Sequence, residues 1–327
     1  MIGQAERRVA EASALRTLFH DHWIHLKRLL RRHELERQRW KREQQRLDSA
    51  VEVIVDGTDG RLRGVSRYQR RLRNSARGLL NYINQLVAEL PHALDLSRQG
   101  FQSGPMAGSL LRGPAQAGEL FVRNREVVDF FSDPAYRDRH EVFALLFLSR
   151  RERRTLGPEL HGDLIVGDVL HRCVEFGGHR LVAPTVSETR ARQALKRILF
   201  ETSVEYLQGY MARLRHGLLE AGERRDLPGQ GEGIDNPETY LQVLEWLLSL
   251  PLDLVRIQSD LVRIDNMGIL LPDGEDAATA RELDLREIAV GRRPLGIVTV
   301  VRYPRSEYQA ALARHGCQGG VAAVRSA

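Results

Sequence analysis

The sequence predicts an α+β fold that is predominantly helical, with a long N-terminal antiparallel helical hairpin followed by mixed modules with antiparallel β-hairpins. Three observations predict it. Apolar residues from Leu15 to Ile54 recur near a 3.6-residue period, without a proline between Gln4 and Val55. A second helical pattern follows a short Gly-containing break. Further on, paired apolar runs flank glycine or Gly-Arg-Arg-Pro turns, the signature of antiparallel hairpins.

The first helix carries Leu15, Leu18, Phe19, Trp23, Leu26, Leu30, Trp40, Leu47, Val51 and Ile54 on one side. Gly57-Thr58-Asp59-Gly60 breaks the chain. The second helix, from about Tyr68 to Leu90, presents Leu72, Ala76, Leu79, Leu80, Ile83, Leu86 and Val87 before Pro91 stops it. A short loop between two helices favours an antiparallel pair. At ~1.5 Å per residue the first would reach roughly 75 Å, about twice the second. Its overhang is therefore expected to bind something. Residues 1–99 are read as this basic hairpin and 100–118, rich in Gly, Pro and Ser, as a linker.

Residues 119–223 read as an α+β module. Glu119–Val122 suits a short strand, and Asn124 suits a helix cap. Val142–Leu148 reads as a buried strand or a helix start. Ser149-Arg-Arg-Glu152 has the form of a capping box. His171–Phe176 and His179–Ala183 alternate around Gly177-Gly178 as a hairpin. Thr185 and Glu188 open a helix of some 30 residues. A second linker covers 224–235. A second α+β module spans 236–315 and starts with Asn236 as cap and Pro237 at the first helical position. In it, Asp253-Leu-Val-Arg-Ile-Gln-Ser259 is repeated as Asp260-Leu-Val-Arg-Ile-Asp-Asn266. Seven residues are two helical turns, so the repeat is expected to be helical. Leu283–Val290 and Leu295–Tyr303 form a hairpin around Gly291-Arg-Arg-Pro, and 316–327 is a disordered tail.

Composition narrows function. The chain has 327 residues, 42% hydrophobic and 28% charged, an ordinary globular balance. Its apolar runs are too short to span a bilayer, and its start lacks the apolar core of a secretory signal, so the protein is expected in the cytoplasm without membrane contact. Cys173 and Cys317 make no disulfide framework and no zinc site. Charge is uneven: residues 1–90 hold 19 Lys/Arg against 11 Asp/Glu, while the remainder is slightly acidic.

That basic charge singles out Arg28, Arg32, Arg39, Arg42 and Arg46 on one face of the first helix. Arg67, Arg70, Arg71, Arg73 and Arg77 gather at the start of the second. In an antiparallel pair they combine into a basic flank suited to a protein partner or to nucleic-acid phosphate. Interspersed Glu34, Glu36 and Glu43 also fit a solvated, internally paired face. His20, His22, His25 and His33 lack the spacing of helical zinc sites, and no metal or cofactor is expected. The leading expectation is a non-enzymatic adaptor or scaffold subunit of an intracellular assembly. The competing one is a phosphodiester-cleaving or other hydrolytic enzyme with its site near His161, Asp163 and Asp168, where acids and histidines gather without a recognisable signature. Cys173, with His171 two residues away, reads as a buried cysteine rather than a nucleophile.

Overall fold

The apolar faces of the chain close on a single sheet covered by helices on both sides. The computed structural model describes residues 41–161, 164–218, 228, 235–271 and 280–324. The first helix, α1, is described over 41–58, and a 3-10 turn at Gly60–Gly64 leads to α2 (Tyr68–Ala88). Then come β1 (Leu94–Asp95), α3 (Arg98–Ser103), α4 (Pro105–Leu110), α5 (Pro114–Arg123) and α6 (Arg125–Ser132). Two long strands follow, β2 (Glu141–His161) and β3 (Leu164–Thr185), then α7 (Glu188–Arg215), α8 (Pro237–Leu248) and α9 (Pro251–Leu254). The chain ends in β4 (Val255–Ile264), β5 (Arg281–Val290), β6 (Arg293–Pro304) and α10 (Arg305–Val324).

The six strands form one sheet in the order β3-β2-β6-β5-β4. It is antiparallel throughout, apart from β1, which pairs with β6 in parallel. Alternation along each strand divides its side chains between two cores. On β2, Leu145 and Phe147 face the core shared with α1, α2, α7 and α8. Val142, Ala144, Leu146 and Leu148 face the core shared with α4, α5, α6 and α10. The molecule is thus a sheet between two helical layers.

This overturns the predicted long N-terminal hairpin. Helices α1 and α2 do lie side by side, linked by Asp48–Arg73 and by Tyr68 donating to Glu52 (3.0 Å). They are not an arm, however. Their apolar residues Val51, Ile54, Leu72, Leu79 and Ile83 are buried with Leu195, Leu199, Leu244 and Leu248 of α7 and α8. Helical periodicity identifies an apolar stripe but not what covers it. Residues 4–40 of the predicted first helix, with their histidine group, lie outside the described residues.

The predicted mixed modules likewise share one sheet, since β2 and β3 come from one and β4–β6 from the other. The expected linker at 100–118 is short helices, with Ala107, Leu110, Leu111 and Ala117 buried. The stretch read as a strand at Glu119–Val122 is the end of α5. The seven-residue repeat is β4 and not a helix. An odd repeat sends its copies to opposite faces of a strand, and here each face meets a core at one end of β4. Val255 enters one core and Val262 the other.

Several local signals act as expected. Asn124 accepts from Val127 N (3.0 Å) to cap α6 and donates to Leu181 O (2.8 Å) on β3. Asn236 accepts from Glu238 N (3.0 Å) at the head of α8. For α7 the cap is Ser187 rather than Thr185, and Glu188 instead pairs with Arg192. Arg192 in turn donates to the carbonyls of Val87, Leu90 and Pro91, closing the C-terminal end of α2. The predicted β5–β6 hairpin forms. Its Gly291 has φ +56°, and a Cβ there would meet the Tyr206 ring at 2.1 Å.

Candidate interaction surface

The long antiparallel pair β2–β3 runs well past the sheet that anchors it. Strand β2 is held by β6 only as far as Leu148↔Ile297, yet it pairs with β3 as far as His161↔Leu164. Two predicted features are absorbed here. Ser149-Arg-Arg-Glu152 opens no helix but continues β2. Gly177-Gly178 is no turn but an irregularity within β3, opposite Ser149, with Gly178 at φ +64°. A bulge substitutes for the expected hairpin, and β3 pairs with β2 instead of with itself.

The base of this ribbon is fixed on three sides. Arg150 pairs with Asp260 on β4 and with Glu287 on β5 (3.3 Å). Val174 N donates to Gly268 O (2.8 Å), and Leu270 N donates to Arg172 O (2.7 Å). The 268–270 segment also pairs back on β4 through Ile264↔Leu270, so it joins the two outermost strands of the sheet. Gly268, at φ +82°, permits that approach: a Cβ there would lie 3.0 Å from Val174 O. Cross-strand pairs Arg172–Glu152 (2.6 Å) and Arg153–Glu175 (3.2 Å) stitch the base.

Beyond Arg154↔Arg172 lie seven residues of β2, about 23 Å of two-stranded ribbon. Leu156 and Leu170 stand opposite each other and are 64% and 57% exposed, and Leu164 and Ile165 are 68% and 72% exposed. Residues 155–170 contain Glu159, Asp163 and Asp168 but no lysine or arginine. Gly157 pairs with Val169 and Glu159 with Val166, which sets two residues, Gly167 and Asp168, against Pro158 alone. Asp168 takes up the bulge at φ +59°. A two-stranded ribbon this exposed is marginal by itself, and its open apolar side chains offer burial to a partner. Covering those four residues is worth roughly 4–8 kcal/mol gross, before the costs of association.

The arginines singled out from the sequence are divided by the structure. Arg28, Arg32 and Arg39 lie outside the described residues. Arg71 is structural: it grips Glu245 with Nε and Nη2 (3.0 and 2.6 Å) and also reaches Glu238, tying α2 to α8. These hydrogen bonds, Glu245 first, raise its pKa further above the ordinary arginine range. Arg73 pairs with Asp48, and Arg77 lies 4.0 Å from Glu43. Arg63 holds Glu52 and Asp56, and its hydrogen bond is the first cause that lowers the Glu52 pKa. Asp59, between Arg61 and Arg215, is held at a pKa of about 2, chiefly by the Arg61 hydrogen bond. Arg42, Arg46, Arg67 and Arg70 remain exposed and make no ion pair among the described residues.

The alternative hydrolytic site is brought together only along the ribbon. His161 stands at its end by register and Asp168 in the bulge, exposed, while Asp163 lies outside the described residues. His171 is half-buried, with Nε2 unpartnered, and a Cβ on Gly157 would meet its ring at 3.1 Å. Cys173 is half-buried within the strand pairing to Ile269. A cleft of about 300 Å³ lies between α4, the base of β3 and the 265–268 turn. Its acids are engaged, Glu175 by Arg153 and Asp265 by the amides of Met267 and Ile269 (2.8 Å each). Among the described residues no group of three His, Cys, Asp or Glu is placed to hold a metal ion, and no helix is long and apolar enough to cross a membrane. Sequence reading missed the ribbon, although its signal was there: two runs of about 21 residues, the first rich in leucine and the second in β-branched residues, around His161-Gly162-Asp163.

Compared with protein-family models, curated proteins and solved structures, the chain matches none of them.

Proposed function

We propose that the protein is a non-enzymatic adaptor or scaffold subunit of an intracellular multiprotein assembly, and that it engages a protein partner through the outer β2–β3 ribbon. One observation carries this reading: a ribbon about 23 Å long is braced at its base by Arg150 and the 268–270 segment, then displays Leu156, Leu164, Ile165 and Leu170 to solvent. A rigid base and an apolar end suit docking. The exposed arginines of α1 and α2 supply a second contact surface, available to an acidic partner or to phosphate.

The test replaces residues 155–170 with an Asn-Gly turn in the full chain. Tagged wild-type and shortened proteins are purified with nuclease present and their co-purifying proteins quantified. The expected result is loss of specific partners with an unchanged melting temperature. An identical partner profile at equal folded yield sinks the reading. A gel shift at 50 and 200 mM salt with Arg42, Arg46, Arg67 and Arg70 changed to Glu tests the phosphate contact.

A further inference from the structure

One edge of the ribbon already takes an added strand from within the chain. The 268–270 segment lies against β3, where Val174 N donates to Gly268 O and Leu270 N donates to Arg172 O (2.8 and 2.7 Å). At this base the even-numbered residues of β3 therefore turn their backbone groups outward, and the odd-numbered ones turn theirs to β2. The opposite edge belongs to β2. There Leu148 O points at β6, since a Cβ on Gly296 would lie 2.5 Å from it. Alternation turns the amides and carbonyls of Glu152, Arg154 and Leu156 to the same side, beyond the last β2–β6 pair at Leu148↔Ile297. Among the described residues no backbone hydrogen bond reaches them from that side. Three open amides and three open carbonyls thus stand about 7 Å apart from residue to residue, a template for a further strand. Its base is held still, because Arg150 pairs with Asp260 and Glu287.

We propose that an extended acidic segment of a partner protein adds to this edge as an antiparallel strand, alongside Arg151 to Leu156. The proposal rests on reading the ribbon as the docking element and says how it docks. Charge selects the occupant. Residues 150–156 hold four arginines against Glu152 alone. Glu152 is taken by Arg172, and Arg153 by Glu175. Arg151 and Arg154 are exposed and make no ion pair among the described residues, and Arg154 stands directly opposite Arg172, a neighbour of like charge. An acid set opposite each of the two arginines offsets that charge. Arg154 and Leu156 project to one face of the strand and Arg151 to the other. The fitting segment therefore carries an apolar residue opposite Leu156, an acid two positions further on opposite Arg154, and a second acid three beyond that, opposite Arg151. A second copy of β2 at this edge brings arginine to arginine and is disfavoured. Phosphate oxygens only accept hydrogen bonds, so a nucleic-acid backbone leaves the three carbonyls without donors.

Fluorescence anisotropy of the full chain with a labelled peptide, Thr-Ile-Thr-Glu-Thr-Thr-Glu-Thr, at 50 mM NaCl tests this. The expected dissociation constant is below about 100 µM. It should rise at least tenfold in R151E/R154E, whose circular-dichroism melt should match wild type. A peptide with both glutamates replaced by arginine should show the reverse preference. N-methylation of the second, fourth and sixth residues, whose amides face β2, should abolish binding. N-methylation of the third, fifth and seventh should change it less than threefold. No binding at 300 µM peptide overturns the proposal, as does equal tolerance of the two methylation patterns, which reduces the contact to charge. A single-stranded oligonucleotide that binds more tightly than the peptide, with the same dependence on Arg151 and Arg154, overturns it in favour of phosphate. Partners lost on replacing 155–170, with no peptide binding, overturn strand addition alone and leave the adaptor reading standing.

Discussion

Changing Arg71 to Ala should weaken the fold, not merely the surface charge. The guanidinium makes a two-pronged pair with Glu245 and a further contact with Glu238, bridging residues more than 160 positions apart in the chain. The Arg71 and Glu245 side chains are 28% and 25% exposed, so the pair lies between a surface bridge and a buried one. Surface pairs contribute up to about 1 kcal/mol, and breaking buried ones costs about 3–5 kcal/mol. A loss of about 2 kcal/mol follows. At roughly 2–4 °C per kcal/mol for a chain of this order of size, the melting temperature should fall by about 4–8 °C. Urea unfolding followed by circular dichroism measures it, with Arg71→Ala and Glu245→Gln combined in a double-mutant cycle. A coupling of about 1–2 kcal/mol is expected. Arg70→Ala, one residue away and without an ion pair among the described residues, should change stability by less than about 0.5 kcal/mol. Equal effects of the two substitutions would refute the assignment of Arg71 to the framework.

Two further outcomes follow from the same structure. The Asp59 pKa of about 2 lies below its ordinary 3.8, so its contribution to stability is complete above about pH 4 and is lost as pH falls towards 2. The urea midpoints of wild type and Asp59→Asn should therefore converge over that window, and a constant gap would show that Asp59 does not titrate as described. Gly291→Ala puts a Cβ 2.1 Å from the Tyr206 ring at a backbone φ of +56°, and should cost at least about 2 kcal/mol. Part of that loss should be recovered when Tyr206→Ala is added, and no recovery would mean that the backbone alone sets the cost.

How the sequence misleads is clearest at three places. The repeat at 253–266 has a period compatible with helix, and the objection to a strand is that its copies would face opposite ways. That objection holds only for a sheet with one covered face, and β4 has a core on both. The Gly177-Gly178 turn was plausible because glycine pairs suit hairpins, but the same conformational freedom serves a bulge. The arginines of α2 look alike in sequence. Glu238 and Glu245, brought in by α8, make Arg71 a tie, while Arg70 makes no ion pair among the described residues.

Local chemistry was sufficient wherever a signal closes on itself within a few residues. Asn124 and Asn236 cap their helices through their own side chains, and Pro91 and Pro251 bound helices by lacking an amide hydrogen. Residues 283–303 form their hairpin because the turn and both strands are contiguous. The uneven charge, too, is a property of the sequence alone. Only the tertiary structure decided which apolar stripe covers which, which strand β3 pairs with, and which arginines are spent on the framework. Those are contacts between residues tens to hundreds of positions apart, and no periodicity within a segment records the partner on its far side. The exposed ribbon is the residue of that process, the length of β2 and β3 for which the described chain provides no cover.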